Sequence, residues 1–311
     1  MKKKNDVVRK LINFDTKKNV LVSILVPICN VEKYLSKCLD SIEAQTLKEI
    51  EVLCINDGSK DSSLDIIKKY ASRDKRFKVI DKVNSGYGDS LNIGLKMASG
   101  KYIGIVESDD WIEPDMYRDL LEAVEREGAE LAVTGINRTY DNGFNRIQYA
   151  WDKPFVISGN KIIQAYLRQG TFSTSAWDKL YLKSLFDSRR FPVGKQYEDA
   201  PVIFDILCAI DKIAVVGKPQ YYYFQRADSI CGQSFSIRKM DHYDFSREIW
   251  ERVNREYPQY KEDADVFWGC KLVEILYSLY ESTNSNDYEK QEKQMKTELK
   301  GVQWKVDRKS T

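Results

Sequence analysis

The stretch YIGIVESDDWIEP, Tyr102–Pro114, decides how the chain is read. An apolar run ends at Val106, and three carboxylates, Glu107, Asp109 and Asp110, follow within four positions. Like charges this close repel and raise one another's pKa, so a positive partner is expected, and a divalent metal is the first candidate. A solvated loop whose acids cap the helix starting near Pro114 is the plainer reading. The tight spacing and the place of the triple, just past an apolar strand, favour a ligand site.

Working outward, apolar runs alternate with helical spacing. LVSILVPI (21–28), IEVLCIN (50–56), FKVI (77–80), KYIGIV (101–106) and ELAVTG (130–135) read as strands. Between them, Leu35, Cys38, Leu39 and Ile42 fall on one helix face. Ser62 and Asp65 suggest a capping box ahead of another helix. Tyr87 to Ala98 reads as a third, and a fourth runs from Pro114 to about Arg126. This order predicts βαβ units and a mostly parallel, Rossmann-like sheet flanked by helices. Ligands bind at the carboxyl ends of such strands. Function is therefore expected at Cys29 and Asn30, at Asp57, at Lys82 to Gly86 and at Glu107 to Asp110.

Beyond residue 136 the pattern loosens. Asn142–Gly143 marks a turn, helices are expected near 159–169, 178–188 and 199–210, and short strands at 213–216 and 221–225. From about 238 onward the chain reads as amphipathic helix. VFWGCKLVEILYSLY (266–280) places Phe267, Cys270, Val273, Tyr277 and Tyr280 on a face read as core packing, with docking to a membrane or partner as the alternative.

The 311 residues suffice for a sizeable core, and 42% apolar with 31% charged residues suits a globular enzyme. A net charge of +2 argues against a nucleic-acid partner. The basic residues gather at the start: Lys2, Lys3, Lys4, Arg9, Lys10, Lys17 and Lys18 face only Asp6 and Asp15. A solvated arm is the plain reading, and a peripheral contact with anionic lipid the sharper one. Six scattered cysteines without a CxxC pair fit reduced thiols in a cytoplasmic protein. No apolar stretch is long enough to span a membrane, and no signal-peptide pattern is visible.

Three further groups carry chemistry. NDGS (56–59) is a turn with an Asp cap, or a strand-end acceptor for the ring N–H of a nucleotide base. KVNSGYGDSLNIG (82–94) is Gly-rich, but Leu91 stands where a dinucleotide fingerprint needs a third glycine, so close backbone approach is the better account of its glycines. YEDA (197–200) reads as a helix start with acids in its first turn. His242, the only histidine, reads as packing or surface, with metal ligation as the sharper alternative.

Together these pieces resemble family 2 glycosyltransferases of the GT-A fold. The resemblance is carried by VSILVPICNVEKYLSKCLDSIEAQT (22–46), IEVLCINDGSKDSS (50–63), NSGYGDSLNIGLKMASGKYIGIVESDDWIEPDMY (84–117) and KQYEDAPVIFDIL (195–207), in that order. It implies a basic arm over 1–20, a GT-A domain over 21–230 and a C-terminal helical region over 231–311. Within the domain, 21–120 would bind the nucleotide-sugar and 121–230 the acceptor. Pro27 and Asn30 would shape the first loop around the nucleoside, Asp57 would take the base, and Asn84 and Gly86 would lie near ribose and diphosphate. The acidic metal motif maps onto Glu107, Ser108, Asp109 and Asp110, with Asp109 in direct contact with Mn²⁺ or Mg²⁺ and Glu107 touching the ribose, or the metal through water. Asp199 would be the general base, with Glu198 orienting it or the acceptor. Trp177, Asp178 and Lys179 would line the acceptor side, and Arg226 and Ser229 would reach the diphosphate or an acceptor phosphate, with a surface turn as the plain alternative. The sequence departs from the family at Cys29, where an aromatic residue is usual, at Glu107, where Asp is usual, and at Leu91, where many members carry Arg.

The activity so implied is inverting transfer of a sugar from a nucleotide-diphosphate donor, UDP favoured, to a glycan or lipid-linked hydroxyl in cell-surface polysaccharide synthesis. A lipid-linked acceptor would bring a cytoplasmic enzyme to the inner membrane face. Two alternatives stand beside it. A non-catalytic nucleotide-sugar-binding or scaffold protein would not need Asp57, Asp109 and Asp199 together. A sugar nucleotidyltransferase would want a basic Gly-rich loop after the first strand, where PICNVEKY has no glycine.

Overall fold

The computed structural model describes residues 20–226, 235–282 and 288–302. Nearly all of the basic arm lies outside these, as do Ser229 and the end of the chain.

Four strands form the first half of the sheet: β1 (Val22–Ile28), β2 (Ile50–Asp57), β3 (Phe77–Lys82) and β4 (Tyr102–Ile105). They pair in parallel in the order β3-β2-β1-β4, and β1 and β2 are buried along their whole length. Helices α1 (Glu32–Glu43), α2 (Ser63–Arg73) and α3 (Tyr87–Met97) connect them. Leu35, Cys38, Leu39 and Ile42 form the buried face of α1, as their spacing predicts. Strands β2 and β3 build outward on one side of β1, and β4 lies on the other. The switch point of the sheet is therefore between β1 and β4, where a crevice opens beyond the strand ends.

The second half comprises β5 (Trp111–Ile112), α4 (Met116–Glu127), β6 (Leu131–Tyr140), β7 (Asn145–Tyr149), β8 (Phe155–Ser158), α5 (Lys161–Arg168), β9 (Lys179–Leu182), α6 (Asp199–Leu207) and β10 (Lys212–Gln225). Strand β9 joins the halves by running antiparallel to both β4 and β6, while β10 runs parallel to β6. The α/β class with a mostly parallel central sheet is thus as expected, and the turn at 142–143 closes a β6–β7 hairpin.

Four local expectations are corrected. Residues 178–188 form β9 and a 3₁₀ turn at Lys183–Phe186 instead of a helix, because sheet pairing at Leu180 and Tyr181 outweighs local propensity. The two short strands at 213–216 and 221–225 are one strand, β10, with register shifts around Pro219. The Ser62 side chain makes no capping bond at α2; Asp61 does the work, its Oδ1 accepting the Ser63 N–H at 3.0 Å and its Oδ2 the Glu32 N–H at 2.9 Å.

The fourth correction lies in the C-terminal helices, α7 (Met240–Glu256), α8 (Lys261–Tyr280) and α9 (Glu289–Gly301). They enclose a second apolar cluster including Phe235, Tyr243, Trp268, Leu272, Leu279 and Met295. On α8 the core-facing stripe is Phe267, Trp268, Leu272, Ile275, Leu276 and Leu279. Of the expected face only Phe267 is buried; Cys270, Val273, Tyr277 and Tyr280 are exposed.

Candidate active site

Asp57 ends β2 with its carboxylate buried. Its Oδ1 accepts the Ser85 N–H at 2.8 Å and a bond from the Lys82 ammonium, and its Oδ2 accepts the Gly86 N–H at 2.9 Å. The Asn84 side chain donates to the Asp57 carbonyl at 2.8 Å. Asp57 thus shapes the loop that leads into α3, and a base N–H would have to share its oxygens with that loop. Gly86 sits at φ +97°, a backbone conformation that favours glycine. Pro27 is buried within β1 and shapes the strand end. Asn30, at φ +54°, braces the neighbouring loops: its N–H donates to Ser59 Oγ at 3.1 Å and its Oδ1 accepts the Lys60 N–H at 2.8 Å. The Cys29 thiol is exposed beside them, 3.4 Å from Asn84 Nδ2. Asn30, Tyr34, Lys60, Asp61 and Arg226 help line a cavity of about 440 Å³ at this edge.

The three crowded acids go to three different partners. Glu107 accepts a bond from the Tyr87 hydroxyl. Burial, reinforced by the charges of Asp109, Asp199 and Glu198, pushes its carboxyl up to about 8. Asp109 pairs with Arg226, Oδ2 to Nε at 2.7 Å, and the guanidinium also lies over the Tyr34 ring. Asp110 is buried and holds β10: Oδ2 accepts the Tyr221 hydroxyl at 2.7 Å and Oδ1 the Phe224 N–H at 2.8 Å. Burial raises its pKa, with the Asp109 charge adding to the effect. Asp110 is therefore a buried brace of β10, and Ser108 beside it is buried too.

Asp199 opens α6, and Glu198 precedes it. Burial raises the pKa of Asp199; backbone N–H groups, including those of Ala176 and Ala200, and the Lys179 charge partly offset this. Glu198 is buried and pushed up to about 7 by desolvation and the Asp199 charge, against a bond from the Gly88 backbone. The fold thus brings Asp109, Glu198 and Asp199 within electrostatic reach of Glu107, and Tyr87 within reach of Glu107, Glu198 and Asp199.

Three candidates are buried. Lys179 is wholly buried: its ammonium pairs with Asp178 and donates to the Ser173 and Ser175 carbonyls at 2.7 and 2.6 Å. The expectation that it, with Asp178, lines the acceptor side is corrected, because neither side chain reaches solvent. Trp177 is also mostly buried, stacked on Tyr221 at 4.4 Å between ring centroids. His242 stacks on Tyr197 at 4.3 Å. Tyr87 and Tyr221 were not singled out from the sequence. The alternation of YYYF (221–224), which turns Tyr221 inward, was the available signal for the second.

Among the described residues no group of three or more His, Cys, Asp or Glu side chains could hold a metal unaided. Asp109 and Glu107 still fit one kind of site. Mg²⁺ and Mn²⁺ accept one or two carboxylates when phosphate oxygens complete the shell.

The family model "Glycosyl transferase family 2" matches residues 23–190. The chain is similar to glycosyltransferase GlyA of Streptococcus pneumoniae, 33% identical over 218 residues, which is 67% of this chain and 31% of that protein. It is also similar to hyaluronan synthase of Pasteurella multocida, 27% identical over 260 residues, 81% of this chain and 25% of that one. The chain thus spans less than a third of the length of these relatives. Among solved structures, S. aureus TarS 1–349 in complex with UDP-GlcNAc superposes with a TM-score of 0.64 at 20% identity, over 93% of this chain and 95% of that one. That likeness speaks for the fold, and the family match for descent: the chain belongs to glycosyltransferase family 2, with the GT-A fold.

Proposed function

We propose that the chain transfers a sugar, with inversion, from a UDP-sugar to a hydroxyl of a glycan or lipid-linked acceptor in cell-surface polysaccharide synthesis. The observation that carries this is that the acids of 198–199 come within electrostatic reach of Glu107, just beyond the end of β4 at the switch point of the sheet. Asp199 is the general base. Desolvation raises its affinity for a proton, which suits a carboxylate that must take one from an attacking hydroxyl. Glu198, anchored to the Gly88 backbone, orients it. Asp57, through the loop it holds, and Asn30 frame the nucleoside, and Asn84 and Gly86 face the ribose and diphosphate. Asp109 and Glu107 would hold Mg²⁺ or Mn²⁺, which offsets the charge developing on the diphosphate leaving group. Arg226, already at Asp109, supplies a second positive charge beside it.

UDP as donor is supported by the UDP-GlcNAc complex of TarS, and polysaccharide synthesis by the hyaluronan synthase relative. No helix among the described residues is long and apolar enough to cross a membrane. Contact with anionic lipid through the basic arm is part of the proposal, and deleting residues 1–18 should weaken binding to phosphatidylglycerol vesicles.

Calorimetric titration of UDP, GDP and ADP, first with Mn²⁺ and then with EDTA, tests the reading. Binding of UDP that needs the metal is expected. Failure of all three diphosphates to bind, or equal binding in EDTA, would overturn it.

A further inference from the structure

The segment that carries the acidic pair is held from outside the family-matched residues. Tyr197 lies at φ +57°, in the left-handed region that aromatic side chains rarely adopt. Such a conformation persists only where its surroundings over-determine it. Two neighbouring residues at the start of α7 do so. Asp241 grips the preceding residues: its Oδ2 accepts the Gln196 N–H at 3.0 Å, and its Oδ1 pairs with the Lys195 ammonium at 2.6 Å. The His242 ring lies nearly parallel to that of Tyr197, with 4.3 Å between centroids and 14° between planes. Downstream, the Tyr197 carbonyl accepts the Ala200 N–H at 3.2 Å and so helps start α6.

We propose that Asp241 and His242 are positioning residues: they fix the strained turn at Tyr197 and thereby aim the carboxylate of Asp199 at the acceptor hydroxyl. The inference rests on the reading of Asp199 as the base. In it the imidazole serves as a flat surface, and its nitrogens are not needed. Burial, with the Lys271 charge, presses the His242 pKa down to about 3, so the ring stays neutral at ordinary pH.

The test uses the full chain, with UDP release from UDP-GlcNAc as turnover (water as acceptor), calorimetric UDP affinity, and backbone hydrogen exchange over 195–200. His242→Ala and Asp241→Ala should speed exchange in that segment and lower kcat by up to about 100-fold, the cost of a misplaced catalytic group. UDP affinity should not change. His242→Phe, which keeps the stack, should restore both exchange and turnover. Should the alanine variants not fold, Tyr197→Gly removes stack and strain without touching α7, and should show the same loss. Wild-type exchange and kcat in His242→Ala, or in Tyr197→Gly, would overturn the proposal. So would a His242→Phe variant as slow as His242→Ala with weakened Mn²⁺ binding, which would make the nitrogen a ligand. Asp199→Asn run in parallel separates the two readings. If it turns over like wild type the base assignment fails, whereas an inactive Asp199→Asn beside a normal His242→Ala sinks only the clamp.

Discussion

Nε of Arg226 lies 2.7 Å from Oδ2 of Asp109, so one of the three crowded acids is neutralised by the protein itself. A cation arriving at Asp109 has to compete with that guanidinium. A partly exposed ion pair is worth about 1 kcal/mol, or roughly a fivefold change in an equilibrium. Arg226→Gln should therefore tighten Mn²⁺ binding to the nucleotide-free protein by about that factor. Electron paramagnetic resonance titration of free Mn²⁺ measures it, and unchanged or weaker binding would separate Asp109 from the metal.

Asp110 and Asp109 are neighbours with opposite roles. Asp110→Ala strands the buried Tyr221 hydroxyl and the Phe224 N–H, and should cost about 1–3 kcal/mol in urea unfolding while the folded protein still binds UDP. Asp110→Asn keeps an acceptor and should cost less. Asp109→Ala should be nearly neutral for stability and weaken UDP binding only when metal is present. Reversal of the two patterns would exchange their roles.

Glu198 gives a pH dependence of defined sign. Its pKa is raised to about 7 from an ordinary 4.5, so the folded state holds a proton that the unfolded state releases. Its stabilising contribution is complete below about pH 4.5 and is lost as the pH rises through about 7. Glu198→Gln, permanently neutral, should raise the melting temperature at pH 8 and leave it nearly unchanged at pH 5. Scanning calorimetry at the two pH values checks this, and a uniform shift would mean that the carboxyl is not desolvated.

Cys29 and Cys270 are both exposed, but only Cys29 borders the loops assigned to the nucleotide. N-ethylmaleimide should label both. UDP with Mn²⁺ should slow labelling of Cys29 several-fold and spare Cys270, as peptide mass spectrometry would show. Burial and the Asp57 charge raise the Cys29 pKa, so its labelling should be slow at pH 7 and faster at higher pH. Equal protection of both cysteines would point to a global change instead of a ligand beside Cys29.

The parallel half was legible because β1, β2 and β4 are buried along their length and read as unbroken apolar runs, and because βαβ order then points to candidate residues at the strand ends. The second half was not. Residues 179–182 become a strand only through pairing with β4 and β6, which no local pattern announces. The same limit applies to side chains. WDK (177–179) carries the residue types of a binding site, yet Lys179 spends its charge on Asp178 and two carbonyls in the core. Arg226 stood out in the sequence as a candidate charge, but its pairing with Asp109 spans 117 positions of sequence. The crowding in ESDD was correctly read as a demand for compensation. Arg226, the Tyr87 hydroxyl and the Tyr221–Phe224 segment supply part of it from the protein alone.

Helix α3 touches both sides of the crevice. Gly86, just before it, is tied to Asp57; Asn92 bonds both the carbonyl and the N–H of Phe191, at 2.8 and 2.9 Å. A Cβ on Gly88 would stand 2.3 Å from the Pro192 carbonyl oxygen. Residues 86–92 and 191–199 must therefore change in step. When genes of related chains are recombined, crossovers between these two segments should give mostly inactive offspring unless both come from one parent. Selection for a new donor that reshapes the 82–86 loop should likewise draw secondary substitutions near Phe191 and Pro192, a hundred positions away.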